Sequence, residues 1–250
     1  MAETPTVLIT GGSRGIGAAI ALLAARSGWD VCFSYHSQAD EANRICGRIR
    51  ECGQRAHFIQ ADMASEDNIT ALWREAIDTF GTINALVNNA GILEQQMPLA
   101  EFTADRLRRI FQVNTLGSIL CAREAVRHMS TARGGIGGSI VNLSSAAARL
   151  GSPGEYIDYA ASKAAVDAVT IGLSKEVAGE GIRVNSVRPG SIFTEIHASG
   201  GEPDRVDRIA KIVPMKRGGE PKEIAEAILW LISDKASYTT GTILEVTGGI

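Results

Sequence analysis

Thr6-Val7-Leu8-Ile9-Thr10-Gly11-Gly12-Ser13-Arg14-Gly15-Ile16-Gly17-Ala18-Ala19-Ile20-Ala21-Leu22-Leu23-Ala24 is the stretch that decides the fold. Its first five residues are a β-branched apolar run, the pattern of a buried strand. A glycine turn follows, and then a run of strong helix formers. Strand, glycine turn and helix start are the parts of a dinucleotide site. Glycine lets the backbone approach a pyrophosphate, and the helix start offers free N–H groups and the positive end of its dipole. The spacing is G-x-x-x-G-x-G, not G-x-G-x-x-G, and no Gly-Lys-Ser/Thr follows, which excludes a P-loop.

Outward from this unit the pattern alternates. Apolar runs at 31–35, 56–60, 83–87, 140–143, 182–187 and 243–246 read as strands. Residues 38–52, 66–79, 103–130, 155–179 and 221–232 read as helices. The glycines from Gly134 to Gly138 read as a loop before the fifth strand. Residues 191–217 break the pattern and read as a substrate-loop insertion. The alternation predicts a single α/β domain over 1–250, a doubly wound parallel sheet of about seven strands with helices on both faces. Ligands of such sheets bind outside the carboxyl ends of the strands. The glycine turn, Asn89, Ser145 and Pro189 all follow strands, so they converge on one sheet edge.

Tyr159 and Lys163 stand in Y-A-A-S-K. Positions i and i+4 share a helix face. A phenol with a pKa of about 10 is a poor acid or base near neutrality, and a neighbouring ammonium is expected to lower that value. The pair is a credible acid/base device. Tyr156 has Ala160 at i+4 and lacks that cation, so it reads as a pocket-wall or packing residue. His197 and Glu155 are candidates to touch a polar substrate, but read better as solvated loop residues.

Together these motifs resemble the short-chain dehydrogenase/reductase family in its compact single-domain branch, with a Rossmann fold. The likeness spans nearly the whole chain. Thr10-Gly11 to Gly17 is similar to the family's T-G-x-x-x-G-x-G turn, and Asn88-Asn89-Ala90-Gly91 to its N-N-A-G segment. Asn114 lies in Val113-Asn114-Thr115, where the family carries a helix asparagine. Ser144-Ser145 follows the fifth strand, where the family's catalytic serine belongs, and Pro189-Gly190 with Thr194 matches P-G-x-x-x-T. The resemblance implies catalytic roles for Asn114, Ser145, Tyr159 and Lys163. Family spacing favours Ser145, but one extra residue in 150–158 leaves Ser144 open. Cofactor contacts are implied at Gly11, Ser13, Arg14, Gly15, Ile16, Gly17, His36, Ser37, Asp62, Met63, Asn89, Ala90, Gly91, Tyr159, Lys163, Pro189, Gly190, Ile192 and Thr194. Asp62 is expected at the adenine ring, and Asn114 at a water joining Lys163 to solvent.

An NAD site needs an acid at the end of the second strand for the ribose 2′-hydroxyl. Here that strand ends in Tyr35-His36-Ser37. Nothing there repels a 2′-phosphate, and Arg14 offers it a forked, charged donor. NADP(H) is therefore the expected cofactor, although relatives often carry Arg where this chain has His36. The implied reaction interconverts a carbonyl and a secondary alcohol by hydride transfer, with Tyr159 as general acid/base. The substrate is expected to be a sugar, polyol or other small carbonyl compound, with 3-oxoacyl thioester reduction as the alternative. A non-catalytic NADP-binding sensor would not need Ser145, Tyr159 and Lys163 together. An extended-branch isomerase would have a different glycine spacing and a larger C-terminal region.

Composition sets bounds. A net charge of −3 argues against a nucleic-acid binder, and no apolar run reaches membrane-span length. The first strand begins too early to leave room for a signal peptide. Cys32, Cys46, Cys52 and Cys121 lack metal-ligand spacing and read as buried thiols of a cytoplasmic protein; no catalytic metal is expected. A homotetramer is expected, because relatives pair the helices at 103–130 and 155–179 between subunits. The second helix carries small residues, Ala160-Ala161-Ser162 and Ala164-Ala165, that permit close packing.

Overall fold

Seven strands form one sheet: β1 (Thr6–Ile9), β2 (Asp30–Tyr35), β3 (Ala56–Gln60), β4 (Ala85–Asn88), β5 (Gly138–Leu143), β6 (Ile182–Pro189) and β7 (Ile243–Val246). The computed structural model describes residues 4–250. Every pairing in the sheet is parallel and the order is β3-β2-β1-β4-β5-β6-β7. The order reverses at β1, so the carboxyl ends of β1 and β4 flank a crevice where such sheets hold ligands.

The helices are α1 (Gly15–Arg26), α2 (Ala39–Glu51), α3 (Glu66–Phe80), α4 (Ala104–Phe111), α5 (Ser118–Met129), α6 (Ala147–Leu150), α7 (Ile157–Val177), α8 (Ile196–Ser199), α9 (Arg205–Ala210) and α10 (Pro221–Ile232). Successive strand residues point to opposite faces. Val7 and Ile9 join the core under α1, α2 and α10, while Leu8 joins the core under α3 and α5. Both faces of β1 and β4 are thus buried, which is why their sequences are unbroken apolar runs.

The stretch 103–130 is not one α-helix. Between α4 and α5 the chain widens into a π-helical turn, Gln112–Gly117. Gly117 packs onto the loop after β3 so closely that an added Cβ would lie 2.4 Å from the Met63 carbonyl oxygen. The long helix α7 starts later than expected, at Ile157, because Tyr156 is its N-cap in a non-helical conformation. The irregular segment 191–217 contains two short helices, α8 and α9. Cys52 is exposed just beyond α2, contrary to the expectation that all four thiols are buried; Cys32, Cys46 and Cys121 are buried.

Helix α7 meets the sheet through polar residues. Asp158, Ser162, Lys163, Asp167, Thr170 and Ser174 are all buried. Sheet partners come from β5 and β6: Asn142, itself accepting from Asn88 at 2.9 Å, donates to Thr170 at 2.9 Å, and Arg188 donates to Asp167 at 2.8 Å. Among the described residues no helix is long and apolar enough to cross a membrane.

Candidate active site

The site starts at the glycine turn. Thr10 Oγ1 accepts the N–H groups of Asn89 and Ala90, each at 3.0 Å. Asn89 Nδ2 donates back to the carbonyls of Thr10 and Gly11 at 2.8 and 2.9 Å. This reciprocal latch holds the ends of β1 and β4 together where the strand order reverses. Gly11 sits at a φ of 67°, and a Cβ on Gly17 would lie 2.2 Å from the Gly11 carbonyl oxygen. Only glycine fits at 17, and its absence of side chain lets α1 start tight against the turn. The first turn of α1 carries no acidic residue, leaving its free N–H groups and positive end to an outside anion.

One cavity of about 680 Å³ runs along the carboxyl edge of the sheet. All the residues expected to touch cofactor line it: the glycine turn, His36 and Ser37, Asp62 and Met63, Asn89 to Gly91, and Pro189 to Thr194. Asp62 also caps its own turn, accepting from the Ala64 N–H at 2.8 Å. These donors and close backbone approaches fit an extended dinucleotide: pyrophosphate at the start of α1, one nucleoside toward His36 and Asp62, the other toward Lys163. Arg14 forms no ion pair among the described residues and is exposed at the cavity edge.

The chemical end is built by α7 and the loop after β5. Lys163 is buried, and its Nζ donates to the Leu143 carbonyl at 2.7 Å. Burial lowers its pKa to about 8, with Asp167 opposing that shift. The Nζ lies 5.8 Å from the Tyr159 ring centroid. The Tyr159 phenol is pushed above its ordinary value by burial, with a hydrogen bond to Ser145 acting in the other direction. The expected lowering by Lys163 is therefore not what this geometry gives: the ammonium is turned to Leu143, and desolvation of the phenol dominates. The two serines part company. Ser144 is buried and donates to the Lys163 carbonyl at 3.2 Å, whereas Ser145 lines the cavity beside Tyr159, its Oγ accepting from the Ala147 N–H at 3.1 Å.

Asn114 is the one predicted residue that does not line the cavity. It is fully buried behind it, on the π-helical turn. Its Oδ1 accepts from the Ile92 N–H at 2.8 Å, and its Nδ2 donates to the Ile92 carbonyl and to Ser162 Oγ, both at 3.1 Å. It pins the loop after β4 against α7. A Cβ on Gly91 would lie 3.3 Å from Lys163 Nζ and 3.4 Å from Asn114 Oδ1. A larger residue at 91 would crowd both groups.

Several residues of the site went unread in the sequence. Asp158 precedes Tyr159 and caps its N–H at 2.8 Å, and the buried Arg106 donates to Asp158 at 2.6 Å and to the Gln95 carbonyl at 2.5 Å. An acid in the first turn of a helix was the available signal; its arginine partner, 52 positions away, had none. Glu155 and His197 are not solvated as expected. Glu155 pairs with Arg205 and Arg208, and both arginines also pair with Glu202. His197 is half-buried with Nε2 at 2.9 Å from the Ile192 carbonyl, and burial lowers its pKa. Tyr156 is buried, donates to the Gly200 carbonyl at 3.0 Å, and carries the Arg205 guanidinium over its ring. These contacts fasten the segment carrying α8 and α9 over the cavity.

A family model described as enoyl-(acyl carrier protein) reductase matches residues 11–250. The uncharacterized oxidoreductase YgfF of Escherichia coli is 52% identical over 242 residues, 97% of this chain and 98% of the relative. The chain belongs to the short-chain dehydrogenase/reductase family. Glucose 1-dehydrogenase 2 of Bacillus subtilis is 35% identical, with 98% of this chain and 94% of the relative covered. Among solved structures, a Serratia marcescens short-chain dehydrogenase/reductase matches with a TM-score of 0.91 at 32% identity, covering 99% of this chain and 98% of that one. A blue fluorescent protein from a metagenomic library, solved in complex with NADPH, matches with a TM-score of 0.90 at 33% identity, covering 98% and 97%. As a family member the chain is an oxidoreductase of the CH–OH/C=O class.

Proposed function

We propose that this short-chain dehydrogenase/reductase interconverts a small carbonyl compound and its secondary alcohol with NADP(H), using Tyr159 as general acid/base. The observation that carries this is the meeting, in one cavity, of Ser145, Tyr159 and a buried Lys163 with a glycine turn at a helix start. A bound nicotinamide supplies or takes the hydride. In reduction, Tyr159 donates the proton that neutralises the developing alkoxide, and Ser145 hydrogen-bonds the same oxygen. In oxidation, the tyrosinate accepts the alcohol proton. Lys163 faces the cavity from beneath, one helical turn from Tyr159, and holds the nicotinamide-side ribose. Its charge beside the site favours the tyrosinate once bound groups enclose both. Asn114 orders the Ile92 loop against α7, beside Lys163. Protein and cofactor thus divide the labour.

NADP(H) over NAD(H) rests on Arg14, which has no acid partner among the described residues, and on the absence of an acid after β2. His36 and Ser37, exposed at the same end, add donors for a 2′-phosphate. The NADPH complex of a 33%-identical structure supports this choice. The test is oxidation of NADPH and NADH against a panel of aldehydes, ketones, sugars and 3-oxoacyl thioesters. Arg14→Ala should raise KM for NADPH far more than for NADH. Equal effects on both cofactors, or a wild-type preference for NADH, would remove the phosphate argument. We place the protein in the cytoplasm as a homotetramer, on the same reading of α4, α5 and α7 as helices that pair between subunits.

A further inference from the structure

The cavity that holds the proposed reaction has two ends with opposite electrostatic character. At the glycine turn, Arg14 is unpaired among the described residues. At the substrate end, every arginine is already matched. Arg109 pairs with Glu94. Arg205 pairs with Glu155 at 2.6 Å and Glu202 at 3.2 Å, and both carboxylates also hold Arg208. The matching is tight: Arg208 holds the Glu202 carboxyl down at about 2. His197 brings no cation, since burial favours its neutral form. Its Nε2 lies against the Ile192 carbonyl, which assigns the proton to Nε2 and leaves Nδ1 as a buried acceptor without a partner among the described residues.

The rest of this end is hydrocarbon. Leu93, Leu150, Pro153, Ile196, Ile209 and Ile212 line it. Tyr156 spends its hydroxyl on the Gly200 carbonyl. Lys163 is the remaining cation of this wall, and in the proposed reaction the cofactor ribose takes it. An anionic substrate would lose its hydration here and find each arginine of this end already paired with acids. A sugar would bury several hydroxyls for few available partners.

Resting on the oxidoreductase reading, we infer that the substrate is an uncharged, mainly hydrocarbon ketone or secondary alcohol, and that Glu94, Glu155 and Glu202 set this specificity by neutralising Arg109 and Arg205. Removing those acids would convert the arginines into carboxylate binders. The experiment compares kcat/KM for cyclohexanone and for 4-oxocyclohexanecarboxylate, with whichever reduced nicotinamide the protein uses. The same ratio is then measured for Glu94→Gln and for the double variant Glu155→Gln/Glu202→Gln. Glu94→Gln frees an arginine away from the α8–α9 clasp, so it reads the idea even if the double variant unfolds on a melting curve. Wild type should favour the neutral ketone by about tenfold or more, and each folded variant should shift the ratio about tenfold toward the keto acid. A wild type that prefers the keto acid, or variants that leave the ratio unmoved, would overturn the inference while leaving the oxidoreductase reading intact. Failure of every carbonyl to oxidise bound cofactor would overturn both.

Discussion

Tyr159 and Tyr156 lie one turn apart and differ in what surrounds them. Tyr159 faces Ser145 and Lys163; Tyr156 is spent on the Gly200 carbonyl. Tyr159→Phe should cut turnover by about 10²–10⁴-fold or more, as loss of a general acid does, while cofactor binding survives. Tyr156→Phe should keep most of kcat and raise KM a few-fold, because its hydroxyl braces the covering segment. Steady-state kinetics on one accepted ketone checks both, and the reverse pattern would assign the chemistry to Tyr156. Lys163 makes a prediction about stability. Its folded pKa, about 8, lies below its ordinary value of 10.5, so between those values the unfolded chain binds more protons and stability rises with pH. Below pH 8 the burial penalty is fully present. Lys163→Met should therefore stabilise the cofactor-free protein at pH 7, by about 2–3 kcal/mol, and abolish activity. The gain should shrink as pH rises from about 8 to 10.5, which urea melts across that range would read. Taking the difference from wild type matters, because the raised pKa values of Cys32, Cys46 and Cys121 pull stability the other way above pH 9.

At the scale of elements, what the sequence disclosed and what it hid have separate physical causes. The alternation of strand and helix patterns was legible out to the sheet edges, so the edge strands β3 and β7 and the helix α10 stand where expected, at Ala56–Gln60, Ile243–Val246 and Pro221–Ile232. The π-helical turn at Gln112–Gly117 left no such mark, because it depends on the distant Met63 carbonyl meeting Gly117. The polar underside of α7 was equally hidden: its partners Asn142, Ser186 and Arg188 lie on strands formed 19 or more residues away in the chain. Motif residues were legible because their types and spacing resemble a known family's, even where they serve distant partners, as Asn89 does at Thr10 and Lys163 at Leu143. Ion pairs such as Arg106–Asp158 were not, since any arginine could have met any acid. That pair fixes α4 to the start of α7, directly before Tyr159. Arg106→Leu strands a buried carboxylate and should cost about 3–5 kcal/mol. Arg106→Met combined with Asp158→Leu should recover much of that loss in denaturant melts, since a packed apolar pair replaces a buried charged one. If the single and double variants are equally unstable, the ion pair is not what holds the junction.

Over the whole molecule, α4, the π-helical turn and α7 each expose a large apolar residue that suits the proposed tetramer. Leu107, Leu116 and Ile171 are 36%, 45% and 41% exposed. Light scattering at micromolar concentration should report a tetramer, and Ile171→Glu should yield smaller species with unchanged far-UV circular dichroism. A monomeric wild type would reject this. Within each subunit the sheet and its cover are held by different forces. The sheet rests on apolar burial and the Thr10–Asn89 latch, neither of which is weakened by charge screening. The segment with α8 and α9 is clasped by four partly exposed charged side chains: Glu155, Glu202, Arg205 and Arg208. At 1 M salt the screening length falls to about 3 Å, comparable to those contacts. Amide hydrogen exchange should then quicken over 196–212 while β1 and β4 keep their protection, so the molecule behaves as a rigid frame with a brine-sensitive door. An uncharged ketone, with nothing of its own to be screened, would still bind more weakly as ionic strength rises.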